Sequence, residues 1–365
     1  TAQLVSRSGR GVLQLGISVC RRWRGSGVSG QGPCSAVTWS WLRSEERASS
    51  LQAIIKRSHE IAADLSQSRT LAGRAPPARW LMKGWTVNWL HAVILGIVEG
   101  ITEFLPVSST GHLRIVEKLL GYDIQGAGIT AFTAIIQVGA ILAAIVYFWS
   151  DIVRIVVAWC KGLANTSARE DPDYTLGWGI IIGSIPVAIV GLVFKGAIET
   201  TLSSLWVVAG ALVIWSGVMW MADRRTDLDR GMKQVSLVDA VIIGCFQALA
   251  PLFPGISRSG ATISAGLFRR FDRPTATRLS FFMGIPALVA AGIYEAIGAS
   301  GDIAHSSIGW GPTIVATVVS LLVAYVSIAW LLKFVSSNKF TGFIWYRVGL
   351  GVLMIVLLAT NVVTA

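Results

Sequence analysis

Charged side chains are scarce in this chain of 365 residues: Asp, Glu, Lys and Arg make up only 14% of it, while 53% is hydrophobic. Soluble globular proteins average about 25% charged and about 45–50% apolar residues. The shortage of charge excludes a disordered chain and an ordinary cytosolic enzyme. It indicates a protein whose surroundings are mainly lipid, and the mean hydropathy of +0.62 agrees with this.

Cysteine and histidine are also few, with four residues of each. None of the cysteines has the spacing of a metal-ligand motif, so the sequence predicts neither a zinc site nor a disulfide framework. The histidines are equally scattered along the chain.

Positive charge is in excess, with a net charge of +11, but it is unevenly distributed. Residues 1–81 contain 12 Lys or Arg and 4 Asp or Glu, whereas residues 82–365 contain 19 and 16. Because the excess belongs mainly to the N-terminal segment, it gives no reason to expect a nucleic-acid partner. We expect residues 1–81 to be a basic extension outside the functional core, which is residues 82–365. The alternative is a basic arm that lies on anionic lipid.

Six stretches are apolar for the length of about 20 residues that a membrane-spanning helix requires. Two of them carry a charge near one end, Glu295 in the fourth and Arg347 in the sixth, and we expect both side chains to reach the interface with water. The sequence predicts an all-α polytopic membrane protein with spans at 131–149, 176–194, 205–222, 279–298, 310–332 and 343–363.

Two further hydrophobic stretches, 89–112 and 238–267, are interrupted by Gly, Pro, Ser and charged residues. Irregular backbone at membrane depth requires cover from protein or a water-filled cavity. We therefore predict two re-entrant, broken-helix hairpins, each returning to the side from which it enters. With six spans, both ends of the core then lie on the same side of the membrane, and the distribution of Lys and Arg makes that side the outside. The Lys and Arg residues of the connecting segments then divide 13 to 3 between the two sides, which places the richer loops in the cytoplasm: 150–175, 223–237, 268–278 and 333–340.

The two interrupted stretches resemble each other at an offset of 148 residues, and three spans follow each of them. An odd number of spans turns the second copy upside down, so the hairpins of an inverted repeat can meet near the midplane. We predict repeats at about 86–222 and 238–363. The matched pairs are Gly96 with Gly244, Glu99 with Gln247, Pro106 with Pro254, and Ser109 with Ser257.

The first hairpin contains two carboxylates, Glu99 and Glu103, that share a helix face because they are four residues apart. Within a membrane each needs a proton, a cation or a hydrogen-bond partner, and carboxylates bind hard cations such as Mg²⁺ or Ca²⁺. Ser108 and Ser109 follow in a polar turn, and His112 follows the turn. The alternative is a pair of carboxylates that reach the interface beside a helix-capping turn.

The second hairpin contains a Gly-rich and Ser-rich turn that opens a helix, a composition that offers backbone N–H groups to an anion. Arg258 is the only arginine in either hairpin, and its planar guanidinium suits two phosphate oxygens at once. The alternative is a structural ion pair of Arg258 with Glu99 or Glu103. The predicted substrate-binding residues are Ser108, Ser257, Arg258, Ser259 and Thr262.

Together these side chains suit hydrolysis of a phosphoryl group on a lipid substrate. Two carboxylates would hold a cation that bridges phosphate oxygens, and Arg258 would stabilise the developing negative charge. The attacking group is left open between Ser109, His112 and a metal-bound water. The predicted catalytic residues are Glu99, Glu103, Ser109, His112 and Arg258, with Glu99 and Glu103 as metal ligands.

Two segments, ILGIVEGITEFLPVSSTGHL (94–113) and FPGISRSGATIS (253–264), closely resemble the motifs of the bacterial undecaprenyl-diphosphate phosphatase family, also called the bacitracin-resistance family. The resemblance implies removal of the terminal phosphate of undecaprenyl diphosphate, which regenerates a carrier lipid for peptidoglycan. It also implies an inner-membrane location and an active site that faces outward. Glu99, Glu103, Ser109 and His112 match the first motif, and Ser257, Arg258, Ser259 and Thr262 match the second. The runner-up function is a polyprenyl-phosphate transporter or flippase, and a homo-oligomer is left open.

Overall fold

The computed structural model describes residues 88–124, 126–199, 204–305 and 308–360. The predicted extension, residues 1–81, lies outside the described residues. The described chain is helical, without β-strands. Its helices are α1 (Trp89–Thr102), α2 (Ser109–Leu119), α3 (Ala127–Tyr147), α4 (Trp149–Ala164), α5 (Pro172–Val193), α6 (Lys195–Glu199), α7 (Leu205–Asp223), α8 (Leu237–Gln247), α9 (Leu249–Leu252), α10 (Arg258–Phe268), α11 (Arg273–His305), α12 (Trp310–Val335) and α13 (Thr341–Ala359).

Six of these helices are long and apolar enough to span a membrane, which confirms the predicted number within the described residues. Each contains or closely overlaps a predicted stretch, because uninterrupted hydropathy over about 20 residues is a strong local signal. The six candidate spans are Ala127–Tyr147, Pro172–Val193, Leu205–Asp223, Arg273–Glu295, Trp310–Val335 and Thr341–Ala359.

Helix α4 was not predicted, since it falls within the segment expected to be a cytoplasmic loop. It is amphipathic: Ile155 and Ala158 are buried and the helix packs on α5, whereas Val153 and Val156 are exposed. Arg154 pairs with Asp173 at 2.7 Å, which ties the helix to the start of α5. An amphipathic helix that leaves apolar side chains exposed is typical of the membrane–water interface.

Each half of the described chain contains a broken helix pair followed by three spans, and the two halves exchange equivalent contacts. A broken helix pair, α1 and α2, precedes spans α3, α5 and α7, and a second broken pair, α8 and α10, precedes spans α11, α12 and α13. Helix α1 packs on α12 of the second half, and α8 packs on α5 of the first. In each case a glycine permits the close approach: a Cβ on Gly96 would meet the Ala316 carbonyl, and one on Gly244 would meet the Gly183 carbonyl.

Candidate active site

The breaks in the two helix pairs lie against each other and are joined by serine hydroxyls. Ser108 Oγ donates to the Pro254 carbonyl at 2.9 Å, and Ser259 Oγ donates to the Leu105 carbonyl at 3.0 Å. The first turns of α2 and α10 therefore begin close together. The first N–H groups of a helix have no partner within it, and the helix dipole is positive there, so this junction suits an anion.

Ser108 and Ser257 play the same part in the two breaks. Both have a positive φ, 75° and 72°, which is uncommon for a residue other than glycine. Each caps the following helix, because its Oγ accepts from the N–H of Gly111 or of Gly260. Ser108 is thus the residue of the first break that is equivalent to Ser257 in the second. The predicted match of Ser257 with Ser109 was wrong by one residue, because the second break is one residue longer.

Arg347 donates hydrogen bonds to carbonyls of both breaks, and the prediction that its side chain reaches the interface is wrong. Its side chain is fully buried, with a relative exposure of 0%. It donates to the carbonyls of Pro106, Gly255 and Ile256 at 3.0–3.1 Å and to Ser216 Oγ at 3.3 Å. These carbonyls lie at the breaks, outside the α-helices, so at this buried position they need a side-chain donor. In the sequence, the only indication that Arg347 binds buried carbonyls is that a charged residue lies inside a membrane-spanning stretch.

Glu103 joins residues from both breaks. Its Oε2 accepts from Ser109 Oγ at 2.8 Å, and its Oε1 lies 3.4 Å from Arg258 Nη2. The carboxylate is buried, with a relative exposure of 6%. Three of the predicted catalytic residues are therefore brought together as expected, with the carboxylate between the hydroxyl and the guanidinium.

Arg258 retains hydrogen-bonding capacity beyond this ion pair. Nη1 donates to the Ser280 carbonyl at 3.2 Å, and the guanidinium lies against Gly284, where a Cβ would clash with it. Its Nε is buried and has no hydrogen-bond partner. The structure therefore contains the ion pair of Arg258 with Glu103 that was the alternative to phosphate binding, although at 3.4 Å it is long. The unpartnered Nε remains available as a donor to an anion.

Glu99 is the most deeply buried of the predicted acidic residues, with a relative exposure of 1%, and its Oε2 has no hydrogen-bond partner. A buried carboxylate with an unpartnered oxygen needs a proton or a cation. Nowhere in the described residues do three His, Cys, Asp or Glu side chains group closely enough to hold a metal ion. A cation held by Glu99 and Glu103 would therefore take its remaining ligands from substrate and water, as Mg²⁺ often does.

Both ring nitrogens of His112 contact groups other than Glu103. Its Nδ1 contacts the Ser108 carbonyl at 2.8 Å, and its Nε2 contacts the Tyr346 hydroxyl at 2.6 Å. The two rings are nearly parallel, with 5.5 Å between their centroids. Sequence reasoning missed Tyr346, because an aromatic residue near the start of a span is typical of the interfacial belt.

The remaining predicted binding residues support the second break. Ser257 Oγ lies 3.1 Å from Ser259 Oγ. Thr262 Oγ1 donates to Ser280 Oγ at 2.6 Å, and neither Thr262 nor Ser259 is exposed. In this structure their hydroxyls contact protein atoms, and direct contact with substrate stays a prediction for both.

The fold and this site define an integral membrane protein whose buried polar centre suits a phosphate-bearing ligand. Residues 92–353 match the family model of the bacitracin resistance protein BacA, and the chain belongs to that family.

Three curated relatives are all named as undecaprenyl-diphosphatases. The undecaprenyl-diphosphatase of Cutibacterium acnes is 80% identical over 284 residues, which cover 76% of this chain and 100% of the relative. Undecaprenyl-diphosphatase 3 of Frankia casuarinae is 56% identical over 279 residues, with the same coverage of 76% and 100%. Undecaprenyl-diphosphatase 1 of Streptomyces avermitilis is 52% identical over 278 residues, which cover 76% of this chain and 99% of the relative.

Proposed function

We propose that this chain hydrolyses undecaprenyl diphosphate to undecaprenyl phosphate and inorganic phosphate, and so confers bacitracin resistance. Family membership and the activity of its relatives support the reaction. The observation that carries it is the Glu103 carboxylate, which contacts a hydroxyl from one break and a guanidinium from the other. A nucleophile, a base and an anion-binding group are thereby in one place.

The geometry favours Ser109 over His112 as the attacking group. Ser109 Oγ already donates to Glu103, which would take its proton as the oxygen attacks the terminal phosphorus. The bond from that phosphorus to the bridging oxygen breaks, and undecaprenyl phosphate leaves. Water then releases inorganic phosphate from the serine. Arg258 and the first N–H groups of α2 and α10 would stabilise the negative charge on the phosphoryl oxygens.

A polyprenyl-phosphate transporter is the second candidate, because the two halves exchange contacts as in repeat-built transporters. Phosphate release in detergent separates the two functions, since transport requires two compartments and leaves the substrate intact. The purified protein is expected to release phosphate from undecaprenyl diphosphate in detergent. Tight binding of the lipid without phosphate release would favour the transporter.

We also propose that Glu99 and Glu103 bind a divalent cation, Mg²⁺ or Ca²⁺, which would neutralise charge on the diphosphate. The unpartnered Glu99 Oε2 supports this proposal. Activity is expected to disappear in excess chelator and to return when Mg²⁺ or Ca²⁺ is added.

Glu103→Gln is expected to lower phosphate release at least about a hundredfold, because the amide keeps the shape but is a poor base and ligand. Glu295→Gln is the matched control, since Glu295 is an exposed carboxylate on a span. Full turnover in excess chelator would overturn the cation proposal but not the role of Glu103 as a base.

The active site is further proposed to open to the outside of the bacterial inner membrane, with both broken helix pairs re-entrant. The division of Lys and Arg, 13 to 3, supports this orientation. Single cysteines at two exposed loop positions, Asp123 and Thr226, test it in a background without the native cysteines. In intact cells an impermeant thiol reagent is expected to label Asp123→Cys and to label Thr226→Cys only after lysis. The opposite pattern would invert the orientation.

A further inference from the structure

Gln247 is a buried polar residue of the second broken helix pair that the reaction described above does not use. It is the last residue of α8, and its relative exposure is 0%. Its Nε2 donates to the Met283 carbonyl at 3.4 Å, which is long for a hydrogen bond, and its Oε1 has no hydrogen-bond partner. A buried amide oxygen without a donor is costly, so a small molecule that donates to it would be bound there.

Gln247 and Arg258 contact the same turn of α11. Met283, whose carbonyl accepts from Gln247, is followed directly by Gly284, against which the Arg258 guanidinium lies. Arg258 also donates to the Ser280 carbonyl at 3.2 Å, one turn earlier on α11. Arg258 Nε and Gln247 Oε1 are both buried without a partner. The unpartnered donor suits a phosphoryl oxygen, and the unpartnered acceptor suits a molecule with O–H groups, such as water.

The position of Gln247 in the second half is equivalent to that of Glu99 in the first. Each lies three residues after a glycine that packs its broken helix closely on a span of the other half, Gly96 or Gly244. Each is buried and has an unpartnered side-chain oxygen. Only Glu99 is an acid, however, and the amide of Gln247 accepts a hydrogen bond without acting as a base. The two equivalent oxygens therefore suit different tasks.

We infer that Gln247 orients the water that releases inorganic phosphate from Ser109. The inference rests on the proposed function, and within it on the phosphoserine intermediate. The attacking and leaving oxygens of a phosphoryl transfer lie roughly in line, so this water attacks phosphorus opposite its bond to Ser109. Ser109 belongs to the first break, and the opposite side of the phosphoryl group faces the second, to which Gln247 leads. A glutamine amide has this task in other phosphoryl-transfer enzymes.

The water donates one hydrogen to Gln247 Oε1 and the other to the Glu103 carboxylate, which directs an oxygen lone pair at phosphorus. Glu103 has by then passed the proton from the first step to the departing undecaprenyl phosphate. As the new P–O bond forms, the P–O bond to Ser109 breaks, and the proton that Glu103 takes from water passes to Ser109 Oγ. Inorganic phosphate leaves, and the hydroxyl and the carboxylate are restored.

Gln247→Met removes the amide while keeping a side chain of similar length that adapts to its surroundings. Gln247→Asn is smaller and keeps the amide, but its oxygen is drawn back by one methylene, so it provides a second variant that introduces no new bulk. Gln234→Met is the matched control, because Gln234 is an exposed glutamine between α7 and α8. All purified proteins are first compared with the wild type by thermal unfolding in detergent.

Each protein is then mixed with undecaprenyl diphosphate labelled in its terminal phosphate and quenched in acid, which phosphoserine survives. We expect Gln247→Met to release about one undecaprenyl phosphate per protein in a rapid burst and then to turn over about tenfold or more slowly than the wild type. The label should remain on the protein, at about one phosphate per chain, and should be lost when Ser109→Ala is added. Gln247→Asn is expected to show a smaller accumulation, and Gln234→Met none beyond the wild type.

Wild-type turnover of both Gln247 variants would overturn the inference. Slower turnover without retained label would also overturn it, since Gln247 would then act in the first step or in the fold. Wild-type phosphate release by the Ser109→Ala protein would remove the intermediate on which the inference rests. A wild-type protein that releases no phosphate would instead contradict the proposed function itself.

Discussion

Replacing Arg347 by methionine is expected to remove phosphatase activity and to reduce sharply the amount of folded protein. The change leaves the carbonyls of Pro106, Gly255 and Ile256 without a donor in a buried position. Each unsatisfied buried polar group costs about 1–3 kcal/mol, so the loss is large compared with a typical stability of about 5–15 kcal/mol. The measurements are the yield of monodisperse protein in detergent, its thermal unfolding midpoint and phosphate release.

Arg225→Met is the matched control, because Arg225 is an exposed arginine in a loop and pairs with Asp227, two residues away. It is expected to leave yield and activity unchanged. Arg347→Lys keeps the charge with fewer aligned donors, so it is expected to fall between the wild type and Arg347→Met. A stable, fully active Arg347→Met protein would show that other groups hold the two breaks together.

Arg258→Lys is expected to lower kcat/KM by about tenfold or more, and each factor of ten corresponds to about 1.4 kcal/mol of transition-state stabilisation. Lysine keeps the positive charge near Glu103 but lacks the planar guanidinium, whose unpartnered Nε is the donor available to the diphosphate. Folding is expected to be retained, since the side chain becomes smaller beside Gly284. The measurements are steady-state kinetics and thermal unfolding of the same preparation.

The ion-pair alternative makes the opposite prediction for this variant. If Arg258 served only to neutralise Glu103, a lysine ammonium would do so nearly as well, and Arg258→Lys would retain almost full activity. Arg273→Lys serves as a control at a second arginine–carboxylate contact, 2.8 Å from Asp223 and well apart in sequence from both breaks. It is expected to leave kcat/KM close to the wild-type value.

The number and place of the spans could be predicted because they depend on local hydropathy, which requires no knowledge of neighbours. The broken stretches were also visible, since Pro and Gly interrupt hydrophobic runs. Helix α4 was missed because its apolar residues recur with helical periodicity rather than in one run. The one-residue difference between the two breaks was missed because matching at one fixed offset cannot accommodate an insertion.

The grouping of Glu103, Ser109 and Arg258 followed from residue chemistry together with the repeat. The position of Arg347 could not be predicted in the same way. A charge near the start of a span either reaches the interface or turns inward, and the choice depends on carbonyls far away in sequence. The contact of His112 with Tyr346 depends likewise on the packing of α2 near α13, for which the sequence contains no local signal.

We propose that Ser109 from one break and Arg258 from the other act with Glu103 as a single catalytic unit. A double-mutant cycle of Ser109→Ala and Arg258→Lys, measured as kcat/KM for undecaprenyl diphosphate, tests this directly. We predict that each single change lowers kcat/KM at least about tenfold and that the double variant loses far less than the product of the two losses, as for residues that act together. Losses that multiply, or a Ser109→Ala protein with wild-type activity, would contradict the claim.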